Sequence, residues 1–245
     1  MKHTPTYTVI VAVTLLLCSC HRNTFTLEGT LENGAGKTIY ISELTPRDGE
    51  KETATLTLDK RGHFKMKEKI DYLTFYNLHV NQTDYVVLLP QQGEHLVLKG
   101  NYNDLTHSYE VSGSPQSTLL WQLQDYSNQG AQSISDLVAQ DRENKASLSP
   151  DAYEAAKLTT DSIFLAIRNQ QAKYMEDFIY DNQGSLTTLI ALYKPFNGHP
   201  ILPPQQYYEL YSVVLQGLTE QLPDNPHTVN FKNTASKIEY QYGNQ

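Results

Sequence analysis

The chain reads as α+β: an antiparallel β-sandwich or small barrel over residues 25–113, then an all-α bundle over residues 114–245. Three observations predict this. Apolar residues alternate with polar ones up to about Gly113, they recur at helical spacing after Ser114-Pro115, and an apolar run that ends in a cysteine precedes both patterns.

That run, Val9 to Leu17, follows the basic Lys2 and leads into Leu17-Cys18-Ser19-Cys20. A membrane-spanning helix needs about 20 apolar residues, so the segment reads as a secretory leader, residues 1–19. Leu17 at the third position before cleavage, small Ser19 just before it and Cys20 after it resemble the bacterial lipobox. The resemblance implies an acylated Cys20 and a chain tethered outside the cytoplasm through a lipid, with residues 20–24 as the tether. An ordinary cleaved leader with a chance cysteine is the alternative. His21-Arg22-Asn23 holds no acidic sorting run, which favours the periplasmic face of an outer membrane.

In the β half, Phe25, Leu27 and Leu31 share one face of the first strand. Asn33-Gly34-Ala35-Gly36 turns the chain into a second strand, Lys37 to Leu44. Ala54, Leu56 and Leu58 mark a third, and Asp59-Lys60-Arg61-Gly62 suggests a hairpin into Phe64, Met66 and Ile70. Tyr76, Leu78 and Val80 continue the alternation. Tyr85 to Leu89 is apolar throughout, as in a strand covered on both faces. Pro90-Gln91-Gln92-Gly93 then reverses the chain into Leu96-Val97-Leu98.

In the helical half, Ser114 is an expected N-cap, with Pro115 in the first turn where its missing N–H costs nothing. Leu119, Leu120, Leu123 and Tyr126 follow, and Gly130 is expected to break or kink this helix before Ile134, Leu137 and Val138. Ser149-Pro150 repeats the start signal for a helix to about Tyr180, with Ala156, Thr160, Ile163, Ile167, Tyr174 and Phe178 on one stripe. Shorter helices are expected over residues 185–194, after the loop 197–204, and over about 228–240.

Composition narrows the chemistry. A formal net charge of −8, made more acidic by loss of Lys2, disfavours nucleic-acid binding. Cys18 leaves with the leader and Cys20 carries lipid, so the expected mature body has neither thiol nor disulfide chemistry. Gly36-Lys37-Thr38 imitates the end of a phosphate loop, but Leu31 stands where the first glycine belongs. His63, His79 and His95 occupy polar strand positions, either as a cross-strand cluster or as solvated side chains. Asn101 to Asp104 reads as a turn, Ser112-Gly113-Ser114 as a strand-to-helix junction, and Glu176 and Asp177 as solvated surface. Lys60, Arg61, Lys65, Lys67 and Lys69 form a basic stripe, suited to an anionic membrane or to guarding a sheet edge. No catalytic residue, metal ligand or cofactor site is expected.

Certain features come in a recognisable order. They are Phe25-x-Leu27-x-Gly29, Ile39-Tyr40-Ile41, Leu58-Asp59-x-x-Gly62-x-Phe64, Leu88-Leu89-Pro90-x-x-Gly93-Glu94 and Val111-x-Gly113-Ser114. This order resembles the extracytoplasmic domain-of-unknown-function family 4369 that heads thiol-disulfide oxidoreductase lipoproteins of the thioredoxin type. Asp177-Phe178-Ile179 before Gly184-Ser185 resembles the helical spacer that follows it. The resemblance implies that a thioredoxin-like domain with Trp-Cys-x-x-Cys would come next, yet the chain ends at Gln245 and its Trp121 is followed by Gln122. Hence the expectation is a non-catalytic, membrane-anchored interaction module, serving a thioredoxin-like partner from another chain. The alternative is a carbohydrate-binding or glycan-processing envelope lipoprotein, suggested by the 17 Tyr and testable at an outward ring such as Tyr40.

Overall fold

The computed structural model describes residues 23–243; the expected leader, with Leu17, Ser19 and Cys20, lies outside them. The elements in chain order are β1 (Thr24–Glu32), β2 (Thr38–Thr45), β3 (Gly49–Thr57), β4 (His63–Lys69), β5 (Phe75–His79), β6 (Tyr85–Leu88), β7 (His95–Asn101), α1 (Leu105–Ser108), β8 (Glu110–Ser112), α2 (Pro115–Ser147), α3 (Pro150–Asp181), α4 (Thr187–Leu192), β9 (Pro195–Phe196), β10 (His199–Pro200), α5 (Pro204–Gln221) and α6 (Pro226–Tyr242). The α+β class is as the sequence predicts.

Eight strands form two four-stranded sheets, ordered β4-β1-β7-β8 and β3-β2-β5-β6. Alternation puts Phe25, Leu27 and Leu31 of β1 and Ile39 and Ile41 of β2 into a shared interior with Leu78, Leu88 and Leu98. Phe25 and Tyr76 meet there edge to face, with ring centroids 5.0 Å apart. The ladders are antiparallel apart from β1 with β7, which run parallel with Leu27 opposite Leu96.

The turn at Asp59–Gly62 is not a hairpin. β3 pairs with β2 and β4 pairs with β1, so the turn carries the chain from one sheet to the other. The local signal itself is real. Asp59 Oδ1 accepts the N–H groups of Arg61 and His63 at 2.7 and 2.9 Å, and Gly62 sits at φ +74, where a Cβ would strike the Leu31 carbonyl. Turn chemistry fixes the reversal, whereas the sheet each strand joins is fixed by long-range packing. The resulting edge position of β4 agrees with the guarding role of its lysines: Lys65 pairs with Glu28 at 2.6 Å, and Lys69 with Asp71 at 2.6 Å.

Gly130 does not interrupt α2, which runs unbroken from Pro115 to Ser147. Glycine costs a helix about 1 kcal/mol against alanine. Here it is buried where α3 crosses, and a Cβ would collide with the Gln171 amide, which donates to the Tyr126 carbonyl at 3.1 Å. Beside that contact the Tyr126 and Tyr174 rings stack, with centroids 3.7 Å apart. The expected α3 stripe is core only toward its C-terminal end: Phe178 is buried, whereas Ile163 is 42% exposed. Ser114 caps α2 as expected, accepting from the Ser117 N–H at 3.3 Å, but Ser149 makes no such side-chain bond. The loop after α4 contains a small hairpin, β9 with β10, which strand alternation does not foretell.

The two halves meet in a second core, separate from the sandwich interior. Phe75 and Leu89 leave the sandwich and pack among Leu120, Leu123, Phe178 and Phe231 of the helices. This explains why β5 is buried on both faces: Tyr76 and Leu78 look into the sandwich, while Phe75 and Asn77 look toward the helices.

Candidate functional site

The outer face of the second sheet is set by register. Tyr40 of β2 lies opposite His79 of β5, Ser42 opposite Asn77, and Leu44 opposite Phe75. On the other side of β5, Tyr85 of β6 faces His79 and Val87 faces Asn77. Asn77 therefore stands at the centre of a sheet face, where asparagine is disfavoured and apolar or β-branched residues are the rule.

The helices cover this face only in part. Between sheet and helices lies a cavity of about 760 Å³, walled by β2, β5 and β6 on one side and by α2, α4 and α6 on the other. A volume of about 300–1,000 Å³ is typical of small-ligand sites. Its lining is mixed, with apolar Phe75, Leu120, Leu123, Ile190 and Phe231 beside polar side chains. A second cavity of about 370 Å³ shares Tyr85, Gln124, Lys194 and Pro195 with the first, so the two meet along one wall.

Asn77 is 5% exposed and lines the larger cavity. Its Nδ2 donates to Glu50 Oε1 at 2.5 Å. A carboxylate can only accept, so this bond fixes which way the amide points. The remaining atom, Oδ1, is buried and has no hydrogen-bond partner. A buried acceptor left in that state costs about 1–3 kcal/mol.

Lys194, just beyond α4, comes from the opposite wall. Its Nζ donates to Gln124 Oε1 at 2.5 Å, Gln124 Nε2 donates to Asn128 Oδ1 at 2.7 Å, and Asn128 Nδ2 donates to the Thr106 carbonyl at 3.1 Å. A chain of amides holds the amine, and among the described residues no carboxylate pairs with it. Burial pushes its pKa down to about 8. Lys194 is the one cation and Glu50 the one carboxylate among the residues lining the larger cavity.

The remaining polar wall groups are mostly engaged. His227 Nε2 lies 2.9 Å from Thr74 Oγ1, and His79 Nε2 lies 3.4 Å from Ser42 Oγ. Asn81 Oδ1 accepts the Thr83 and Asp84 N–H groups of its own turn. Tyr85 and Tyr193, 44% and 50% exposed, flank the cavity.

The three histidines weighed as a cluster do not come together. His63 and His95 sit on β4 and β7, on either side of β1, opposite Thr30 and Thr26, and His79 belongs to the other sheet. His95 Nε2 instead meets Glu28 Oε1 at 3.1 Å. Among the described residues no three His, Cys, Asp or Glu converge to hold a metal. Gly36-Lys37-Thr38 runs into β2, with the Lys37 amine over the Tyr102 ring at 4.5 Å. Tyr40 is half-buried beside His79, with ring centroids 5.4 Å apart, and is not part of the cavity wall. Sequence reasoning singled out neither Asn77 nor Lys194. The mid-strand asparagine in Phe75-Tyr76-Asn77-Leu78-His79 was the available signal.

Residues 25–120 match the family described as Domain of unknown function (DUF4369), a span that takes in the sandwich and the start of α2. No curated protein and no solved structure matches the chain.

Proposed function

We propose that this chain is a lipid-anchored, extracytoplasmic binding module without catalysis of its own, and that its ligand seats between the second sheet and the helices. One observation carries the reading: a cavity of about 760 Å³ lies between sheet and helices, and in its wall stands Lys194, its amine held by the Gln124 amide oxygen and not by a carboxylate. The polar wall groups pair with one another and are not ordered as nucleophile, base and orienting acid, which favours binding over chemistry. Leu17-Cys18-Ser19-Cys20 supports the anchor, and the resemblance of the β half favours an accessory role toward a thioredoxin-like protein. A carbohydrate ligand is the second reading, favoured by the exposed Tyr85 and Tyr193 rings beside the cavity.

Two measurements test the proposal. In a bacterial host, radiolabelled palmitate should enter the wild-type chain and be absent from Cys20→Ser; equal labelling would overturn the anchor. Anilinonaphthalene sulfonate should brighten on the folded chain. Asn230→Trp, at an exposed α6 position in the cavity wall, should abolish most of that signal. Undiminished brightening in this variant would overturn the cleft as the binding site.

A further inference from the structure

We infer that the cleft takes a small organic anion, a single carboxylate on an apolar, ring-bearing body, with the carboxylate on the Lys194 amine where the two cavities meet and the ring against Tyr85 and Pro195. The inference rests on the cleft reading above and adds the chemical class of the ligand.

Four residues line both cavities and so form their seam: Tyr85, Gln124, Lys194 and Pro195. Lys194 is delivered there from a fixed backbone. Its N–H donates to the Ala191 carbonyl at 3.2 Å, and its own carbonyl accepts the Ile201 N–H at 3.1 Å, closing the base of the β9–β10 hairpin. The side chain is half-buried, within reach of a molecule in either cavity. An ammonium has three hydrogens, and Gln124 Oε1 takes one of them. Gln124 is itself steadied by donating to Asn128.

Charge decides the kind of ligand. Among the described residues, Lys194 is the one charged side chain lining the smaller cavity, and the larger adds only Glu50, which accepts from Asn77. Drawing an ammonium partly out of water costs free energy that one neutral amide oxygen returns only in part. With a pKa of about 8, the amine is cationic at neutral pH. A carboxylate supplies the missing countercharge through charge-assisted hydrogen bonds, about twice as strong as neutral ones. Around the amine the reachable surface is apolar or aromatic: Tyr85 and Tyr193 are exposed, Ile190 and Phe196 half-buried. An aromatic body finds ring partners there. A neutral sugar would bring hydroxyls to those rings and leave the ammonium without a countercharge.

The test uses the purified full chain and two probes of one shape, naphthylacetate and its neutral counterpart naphthylacetamide, titrated by calorimetry. The acid should bind about tenfold tighter than the amide. Lys194→Met should erase that preference by weakening the acid alone, while Lys194→Arg keeps it. Gln124→Glu still offers the amine an oxygen but gives it an internal countercharge, so it too should erase the preference. Were Lys194 only a brace between α4 and α2, both probes would bind alike and Gln124→Glu would change nothing. Tyr85→Ala should weaken both probes by a similar factor, and unchanged affinities would overturn the placement at the seam. Far-ultraviolet dichroism of each variant shows that it is folded. Equal affinity for acid and amide, or an acid preference surviving Lys194→Met or Gln124→Glu, would overturn the assignment. Binding of neither probe, while anilinonaphthalene sulfonate still brightens on wild type and not on Asn230→Trp, would overturn this ligand class and leave the cleft reading standing. Tight binding of a neutral oligosaccharide in place of the naphthyl acid would overturn it in favour of the second reading.

Discussion

Phe75→Ala should lower the unfolding free energy of the whole described body by about 3–5 kcal/mol, the range for truncating a buried phenylalanine. Phe75 belongs to β5, but its ring is 4% exposed among helical residues and meets the His227 ring edge-on at 5.2 Å. The effect should therefore appear in both halves. Trp121, the one tryptophan of the chain, lies on α2, packs against the sandwich interior and donates its indole N–H to the Tyr109 carbonyl at 2.7 Å. Its fluorescence reports the seam, and ellipticity at 222 nm reports the helices. Urea titrations followed by both should shift to lower midpoints together. Lys67→Ala, on the exposed side of the edge strand, should stay within about 0.5 kcal/mol of wild type. A 222 nm transition left in place by Phe75→Ala would mean that the helices do not depend on the sheet, contrary to a shared core.

That shared core also marks where sequence reading succeeds and where it stops. Alternation in Thr24–Glu32 and the Ser114-Pro115 start of α2 are local: side-chain period and capping chemistry settle them within a few residues. Partner choice is not local. Asp59–Gly62 is written like a hairpin and behaves as a crossover because β4 finds β1, far back in the chain. Gly130 is written like a break and serves a crossing, because the reason for it is the Gln171 side chain. The cleft is harder still. Asn77 is a polar residue in an apolar strand, visible as an oddity, but its significance depends on α2, α4 and α6 closing over it. Thr74 and His227, which meet across the seam, are 153 residues apart. No spacing rule connects them.

His227 turns that long-range contact into a pH dependence. Asn225 positions it, capping α6 through the His227 N–H at 2.9 Å and gripping the Leu73 carbonyl at 2.8 Å. Thr74 Oγ1 donates its hydrogen to the Leu44 carbonyl at 3.1 Å, so the 2.9 Å contact with His227 has the imidazole Nε2–H donating to the threonine oxygen. The neighbouring Tyr72 phenol, pushed up by burial and by Glu43, stays neutral across the acid range. Burial pushes the His227 pKa down from its ordinary 6.5 to about 4. The folded state thus holds this imidazole neutral while the unfolded chain protonates it, so the unfolded state binds more protons between those values. Stability should be complete above about pH 6.5 and fall as the solution is acidified toward pH 4. At about 1.4 kcal/mol per pH unit, this group removes about 3 kcal/mol over the window. His227→Gln retains an N–H donor for Thr74 and cannot titrate. Urea unfolding at pH 7, 6, 5 and 4 should give a wild-type curve that drops relative to His227→Gln by about that amount. Parallel curves would show that the imidazole is reached by water in the folded protein, and that the seam between sheet and helix is looser than the packing of Phe75 and His227 requires.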